Sequence, residues 1–206
     1  MSSRTITRRD FLRVASAAPV AGALAPALSR PPGAGGKKVR VVLVRDSSLL
    51  GPQGAPPAEV VQKMIDDGVR ALVDEPDIVR AWKTLIKPED TVGIKSNVWH
   101  YIPTTAEVEQ ALKKRVMDAG VPENRIGIDD RGVLENPLFQ KATALINARP
   151  MRSHHWSGVG SLIKNYIMFV PNPSNTREGD RAPSARLAAA MAAWMARTTV
   201  SIRFWT

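Results

Sequence analysis

Short runs of β-branched residues alternate with longer segments of helical periodicity along most of this chain, and the alternation constrains the fold more than any other feature. The strand-like runs are residues 38–45, 91–95, 126–130 and 144–147, and the helix-like segments are residues 59–73, 77–85, 106–119 and the glycine-opened 158–169. Strands that alternate with helices at these lengths are typical of an α/β fold. We therefore predict a layered sandwich, in which helices flank a mostly parallel sheet.

The composition fits a domain with an ordinary core and narrows the chemistry that the chain can support. Of its 206 residues, 44% are hydrophobic and 23% are charged. No cysteine is present, which excludes disulfides and any cysteine-ligated iron–sulfur cluster. A metal cofactor would need nitrogen or oxygen ligands instead.

The net charge of +10 is concentrated towards the two ends of the chain. Residues 1–29 and residues 176–206 each contribute +3, which leaves a mild +4 for the middle. The middle has no basic stripe with interleaved aromatic residues, so the sequence argues against nucleic-acid binding. A mildly basic cleft favours a small anionic ligand as the partner.

The first residues combine a cationic head with a weakly apolar run. The heptapeptide Thr-Arg-Arg-Asp-Phe-Leu-Arg begins at residue 7 and resembles a twin-arginine export signal through Arg8, Arg9, Phe11 and Leu12. Residues 14–28 are too short a run, and too broken by proline and glycine, to provide the roughly 20 apolar residues of a stable membrane span.

This resemblance implies export of the folded protein by the twin-arginine translocation machinery, and hence a periplasmic or other extracytoplasmic location. We expect a signal peptide over residues 1–29 and a linker rich in proline and glycine over residues 30–37. The alternative is a disordered basic tail or an uncleaved anchor.

Polar residues follow the predicted strands, at the edge of a parallel sheet where ligands collect. We assign catalytic roles to Lys95, Asp130 and Lys164, and ligand-binding roles to Asn97, Gly158, Gly160 and Asn165. The lysines would hold an anionic group, and the glycines would let the backbone approach it. The alternative is that the lysines are ordinary solvated ends of a strand and a helix.

Two histidines and an aspartate form a candidate site for a divalent metal. Asp129 with His154 or His155 would supply the oxygen and nitrogen ligands that suit Zn, Mn or Fe. Adjacent residues of an extended chain face opposite ways, so one of the two imidazoles would reach a given site. The alternatives are a structural histidine, and aspartates that cap the turn before Gly132.

Residues 99–101 form an aromatic loop, which we interpret as a lid or as packing on the edge of the core.

Several short motifs occur in one order along the chain. They are Ile-Lys-Ser-Asn at residues 94–97, the threonine pair 104–105, Ile-Asp-Asp at 128–130, Leu-Ile-Asn at 145–147 and Leu-Ile-Lys-Asn-Tyr at 162–166. Together they resemble the family catalogued as domain of unknown function 362, over residues 38–175. The resemblance implies an α/β domain and an exported location, since that family includes twin-arginine members. It implies no particular reaction, and Ser96 stands where the family usually has proline.

Beyond residue 175 the composition changes to Arg, Ala and Met, and the resemblance ends. We expect residues 176–206 to be a divergent tail that replaces the remainder of a C-terminally truncated or frame-shifted domain. The sheet would then be incomplete and would have an unpaired edge. A lineage-specific tail is the alternative.

These features lead to two functional expectations. The first is an exported enzyme, dependent on a metal or an anion, that acts on a small anionic substrate. The second is a non-catalytic periplasmic protein that binds a ligand or serves as a redox accessory. The sequence leaves the choice between an enzyme and a binding protein open.

Overall fold

The computed structural model describes residues 40–49, 56–154, 158–160, 162–170 and 198–204. The chain divides into two compact units, Met1–Arg40 and Val41–Thr206, and all the helices and strands given below belong to the second. The predicted signal peptide and linker, residues 1–37, lie outside the described residues, as does the predicted tail up to residue 197.

Helices and strands alternate through most of the described chain. In order they are α1 Ala58–Val73, α2 Ile78–Leu85, β1 Val92–Lys95, α3 Ala106–Asp118, β2 Ile126–Asp129, α4 Pro137–Gln140, β3 Ala144–Pro150, β4 Arg152–His154, β5 Gly158–Gly160, α5 Leu162–Asn165 and β6 Thr198–Phe204. Short 3₁₀ turns occur at Ser47–Leu49, Glu123–Arg125 and Tyr166–Phe169. Among the described residues, no helix has the length and apolar character needed to cross a bilayer.

The sequence provides the signals that end α1 and begin α2. Asp74 follows α1 in the left-handed conformation, with φ 60°, and its N–H donates to the carbonyl of Arg70. Asp77 precedes α2, and its carboxylate accepts a hydrogen bond of 2.8 Å from the N–H of Arg80. These caps explain why the two helices are separate despite the short connection between them.

The sheet is parallel and has the strand order β2-β1-β3-β6. In the centre, Lys95 of β1 lies opposite Asp129 of β2 on one side and opposite Asn147 of β3 on the other. Parallel pairing brings the carboxyl ends of these strands to one edge of the sheet. The structure therefore confirms the predicted α/β fold with a mostly parallel sheet flanked by helices.

The two faces of the sheet bury different clusters of apolar residues. Ile146 of β3 faces the larger cluster, which includes residues of α1, α2 and α3, such as Val61, Trp82 and Leu112. Its neighbour Leu145 faces the smaller cluster on the other side, with Phe139 of α4 and Phe169. Successive residues of a strand point to opposite faces, so one run of β-branched and aliphatic residues supports both layers.

Residues 38–45, predicted as an interior strand, differ from that prediction where they are described. Residues 40–46 belong to no strand, and Val41 and Leu43 are 87% and 62% exposed. Val44 faces Gly68 of α1 instead. A β-branched run becomes a strand only when a neighbouring strand supplies backbone partners, and no described strand lies beside this one.

One further segment differs from its prediction. Residues 158–169 do not form one helix: Gly158–Gly160 pair with β4 as an antiparallel hairpin, and α5 and a 3₁₀ turn follow. Gly158 has φ 71°, a conformation that glycine adopts readily and a helix does not use. Residues 198–204, part of the predicted divergent tail, form β6 beside β3, and Val200 is buried there. The divergence of residues 176–206 stays a prediction.

Candidate functional site

A buried ion pair lies at the carboxyl edge of the sheet. Lys95 at the end of β1 is only 1% exposed, and its ammonium pairs with the carboxylate of Asp130, the residue after β2. The same ammonium donates to the carbonyl of Ser96 at 2.9 Å. Asp130 also accepts a hydrogen bond of 2.8 Å from the backbone N–H of Val98. Asp130 therefore connects the loops that follow β1 and β2.

Burial and charge act in opposite directions on the Lys95 ammonium. Burial lowers the pKa of Lys95, since the charged form loses its hydration, and the neighbouring Asp130 opposes that shift. A lysine in this position is well partnered but has almost no contact with solvent. The structure thus brings the predicted Lys95 and Asp130 together as a buried ion pair, of the kind that stabilises a fold.

Asn165, at the end of α5, connects the end of β1, the loop after β1 and strand β3. Its amide nitrogen donates to Asn147 at 2.8 Å and to the carbonyl of Ser96 at 3.2 Å. Its amide oxygen accepts from Lys95 and from Asn97, each at 3.4 Å. Asn165 is 1% exposed, so this network fixes α5 against β1 and β3.

A small cavity of about 140 Å³ opens beside this network, and we call it the cationic cavity. Its walls are Asn97, Trp99, Asp130, Arg131, Arg149, Arg152, Lys164, Asn165, Ile167 and Met168. Among these lining residues there are four cationic side chains and one carboxylate. The predicted Asp130, Lys164, Asn97 and Asn165 all line this cavity, whereas Lys95 lies behind its wall.

Arg152 of β4 ties the aromatic loop to the cationic cavity. Its guanidinium donates to the side-chain oxygen of Asn97 at 3.0 Å and to the carbonyl of Ile102 at 3.3 Å. It also stacks on the indole of Trp99, 3.8 Å from the ring centre. Arg152 therefore attaches the aromatic loop, which the sequence left as a lid or as packing on the core edge, to one side of the cavity.

The pKa values of three cavity cations are lowered, and burial is the largest cause in each case. Burial lowers the pKa of Arg149 to about 10, and the charge of Arg152 adds to that shift. Burial likewise lowers the pKa of Lys164, with Arg149 and Arg152 adding to the effect. Burial also lowers the pKa of Arg152, and Asp130 opposes that shift. A bound anion would offset the repulsion between these cations and favour their charged forms.

The predicted metal ligands are described only in part. Asp129 accepts hydrogen bonds from the N–H of Gly132 at 3.0 Å and from Asn136 at 3.1 Å, so it stabilises the turn after β2. His154 pairs through its backbone with Gly158, and His155 lies outside the described residues. The described residues contain no cluster of three histidine or acidic side chains suited to a metal ion. The metal site stays a prediction.

The two predicted glycines differ in their relation to the cavity. A Cβ atom on Gly160 would lie 3.3 Å from the guanidinium of Arg149 and 3.4 Å from the side chain of Arg152. Gly160 therefore lets β5 approach the two arginines closely. Gly158 sits at the turn of the hairpin, and a Cβ atom there would meet nothing within 4 Å.

A larger depression, of about 350 Å³, lies on the outer side of α3 and carries a weaker case for binding. Two lysines and two acids line it, and they are paired with one another: Lys113 with Glu123 and Lys114 with Asp118. The opposite charges balance, and the pairs lie on the surface. The cationic cavity is the better candidate because its cations outnumber its carboxylate.

Sequence reasoning missed several residues of the cationic cavity. Arg149 lies at the carboxyl end of β3, two residues beyond the predicted end of that strand. Ligands collect at the carboxyl ends of parallel strands, so a predicted strand that extended to Arg149 would have identified this residue as a candidate. The contact between Arg152 and Trp99 depends on a hairpin and a loop that are far apart in sequence, and no local sequence pattern predicts it.

The structure defines an α/β protein with a cationic cavity at the carboxyl edge of a parallel sheet. Comparison of the chain with models of protein families, with curated proteins and with solved structures found no significant match. The resemblance to the domain of unknown function 362 therefore stays a prediction from the sequence motifs alone.

Proposed function

We propose that this chain is an exported α/β protein that binds a small anionic ligand in the cationic cavity. One observation carries the proposal: four cationic side chains and a single carboxylate line the same small space. The lowered pKa values of Arg149 and Lys164 support it, since burial, with a further contribution from neighbouring like charges, disfavours the charged forms of both side chains. Like charges in partial burial are costly, and an anion is the natural counter-charge.

The size of the cavity limits the ligand. A volume of about 140 Å³ is several times the roughly 30 Å³ of a water molecule but well below the roughly 300–1,000 Å³ typical of sites for drug-sized ligands. A compact ion such as phosphate, or a short carboxylic acid, fits this range. The guanidinium groups of Arg149 and Arg152 match both, because they donate paired hydrogen bonds to carboxylate and phosphate oxygens.

Isothermal titration calorimetry of the purified protein with inorganic phosphate and with short mono- and dicarboxylates tests this function. We expect Arg152→Gln to weaken binding by about ten- to a hundredfold, since a hydrogen bond between charged groups is lost. Arg80→Gln is the matched control, because Arg80 lies on the exposed side of α2 and makes a surface pair with Glu75. Failure of all these anions to bind, or equal weakening by both variants, would contradict the proposal.

A second candidate function is catalysis on the bound anion. It is supported by the position of Asp130 and Lys164, which face the same cavity and supply a proton acceptor and a cation. In this proposal Lys164 and the arginines polarise an oxygen of the substrate while Asp130 moves a proton. The burial of Lys95 behind the wall counts against a direct catalytic role for that lysine.

Nuclear magnetic resonance distinguishes the two candidates. Small phosphate esters and carboxylic acids are incubated with the protein and followed by phosphorus and proton spectra. Chemical change that is lost in Lys164→Gln, and kept in the exposed control Lys114→Gln, supports catalysis. Binding without any chemical change supports the binding protein.

A further inference from the structure

We propose that Asp130 makes the cationic cavity selective for anions that carry a proton, such as hydrogen phosphate, over fully ionised anions such as sulfate. This inference deepens the anion-binding function proposed above. It concerns the one carboxylate in a wall that is otherwise cationic or neutral. A carboxylate in the wall weakens the attraction of the cavity for anions in general. Its presence is explained if it makes a specific contact with the bound anion.

Asp130 is held in a fixed orientation by partners behind the cavity. One carboxylate oxygen pairs with the ammonium of Lys95, and the other accepts the N–H of Val98 at 2.8 Å. A carboxylate has about four lone-pair positions, so each oxygen can accept a further hydrogen bond. The residue is 5% exposed and lines the cavity, which directs the remaining acceptor capacity towards a bound ligand.

The chemistry of the two kinds of anion differs at this acceptor. An ionised carboxylate only accepts hydrogen bonds, so it can receive one from the hydroxyl of hydrogen phosphate. Sulfate has no proton to donate near neutral pH, and its oxygens would face the Asp130 oxygens with like charge. Arg149, Arg152 and Lys164 attract both anions. The discrimination therefore comes from Asp130 alone.

The volume of the cavity does not discriminate between these ions, since both are tetrahedral and of similar size. Shape is thus matched between the two probes, and the overall charge is matched when phosphate is present as HPO₄²⁻. The proton is then the difference that remains, and Asp130 is the acceptor that the structure places in the wall of the cavity. A phosphate monoester in its protonated form offers the same hydroxyl group, so free phosphate and a phosphate group on a larger molecule share this chemistry.

Calorimetric titration of the wild-type protein with phosphate and with sulfate, at a mildly alkaline pH where HPO₄²⁻ is the main form of phosphate, gives the direct test. We expect phosphate to bind about ten- to a hundredfold more tightly, because that ratio of affinities corresponds to the free energy of one hydrogen bond to a charged group. Equal affinities, or tighter binding of sulfate, would overturn the inference and leave the anion-binding function standing. If neither ion nor any short carboxylate binds, the proposed function itself fails.

Glycerol phosphate provides a further arm that identifies the source of the ligand. A phosphate monoester loses its last proton with a pKa of about 6, so this arm is run at about pH 5, where the ester keeps its hydroxyl group. Binding of inorganic phosphate with exclusion of glycerol phosphate indicates the free ion, and similar affinity for both indicates a phosphate group on a larger molecule. Both results support the selectivity of Asp130, provided that sulfate binds more weakly than inorganic phosphate.

The double variant Lys95→Met with Asp130→Asn tests the residue without leaving a buried charge unpaired. We expect it to lose the preference for phosphate over sulfate, because the side chain of asparagine can donate as well as accept. Lys63→Met with Asp67→Asn makes the same exchange at a surface pair on α1 and should keep the preference. A double variant that still prefers phosphate would refute the role of Asp130. Should the double variant not fold, the wild-type comparison decides the question on its own.

Discussion

Replacing Lys95 with methionine should destabilise the protein by about 3–5 kcal/mol, because the carboxylate of Asp130 would stay buried without its counter-charge. The structure sets this magnitude: the two side chains are 1% and 5% exposed, so solvent cannot screen the charge that is left. Among the described residues, Asp130 would keep the hydrogen bond from the N–H of Val98 and the weaker attraction of Arg149 and Arg152. Asp130→Asn should cost a similar amount, since it leaves the Lys95 ammonium with neutral acceptors, chiefly the carbonyl of Ser96.

The double variant Lys95→Met with Asp130→Asn should cost no more than the worse of the two single changes, because neither charge is then buried alone. Urea unfolding, monitored by circular dichroism, measures the free energy of unfolding of the wild type and of the three variants. The coupling energy is the departure of the double change from the sum of the single changes.

An exposed pair on α1 provides the matched control for this cycle. Lys63 and Asp67 are 2.7 Å apart at spacing i,i+4, and their side chains are 66% and 37% exposed. Lys63→Met with Asp67→Asn should show a coupling energy of only about 0.3–0.5 kcal/mol. If the changes at Lys95 and Asp130 added within about 0.5 kcal/mol, the two charges would not depend on each other and the reasoning would be refuted.

Three other predictions concern the sheet, the cavity and the predicted export signal. Gly93→Ala should cost about 1–3 kcal/mol in unfolding free energy, because a Cβ atom in the middle of β1 would lie 2.9 Å from the buried ring of Phe139. Anion affinity, measured by calorimetry, should fall as the pH rises through the pKa of Lys164; since that pKa is lowered from 10.5 by burial and by neighbouring arginines, the fall should begin below pH 10.5. Arg8→Lys with Arg9→Lys should keep the charge but abolish export, as shown by immunoblots of periplasmic and cytoplasmic fractions.

Each of these predictions has a control in the chain. Gly68→Ala places a Cβ atom 3.5 Å from Val44, an ordinary contact, and should be neutral or stabilising in the helix. Lys164→Gln should lessen the alkaline loss of affinity, since no titrating ammonium remains at that position, and the part that persists belongs to Arg149, whose pKa burial lowers to about 10. Arg4→Lys alters an arginine outside the pair and should leave export intact. Equal effects of a test variant and its control would show that the assigned cause is wrong.

Local sequence patterns predicted the helices and central strands because both depend on nearby residues. Val61, Ile65 and Val69 recur at the spacing of one helix face, and α1 forms over nearly the predicted range. The short runs that became β1 and β2 are buried on both faces and are bounded by turns. Residues 38–45 have an equally strong pattern and are not a strand where described, since pairing is decided by partners distant in sequence.

The candidate site was predictable as far as it depends on the ends of strands. Lys95, Asn97 and Asp130 follow β1 and β2 directly, so the parallel topology alone brings them to one edge. The predicted Lys164 reaches the same cavity through α5. The contribution of Arg152 required the β4–β5 hairpin, whose pairing no residue pattern in the sequence revealed.

The burial of Lys95 explains how a basic cavity can form at the edge of a small sheet. Placed in the cavity, a fifth cation would add to the repulsion that already lowers the pKa values of Arg149 and Lys164. Placed behind the wall, it is neutralised by Asp130 and fixes the orientation of that carboxylate towards the ligand. The lysine therefore acts on the cavity through Asp130, and changes at Lys95 should alter selectivity among anions more than affinity for anions as a class.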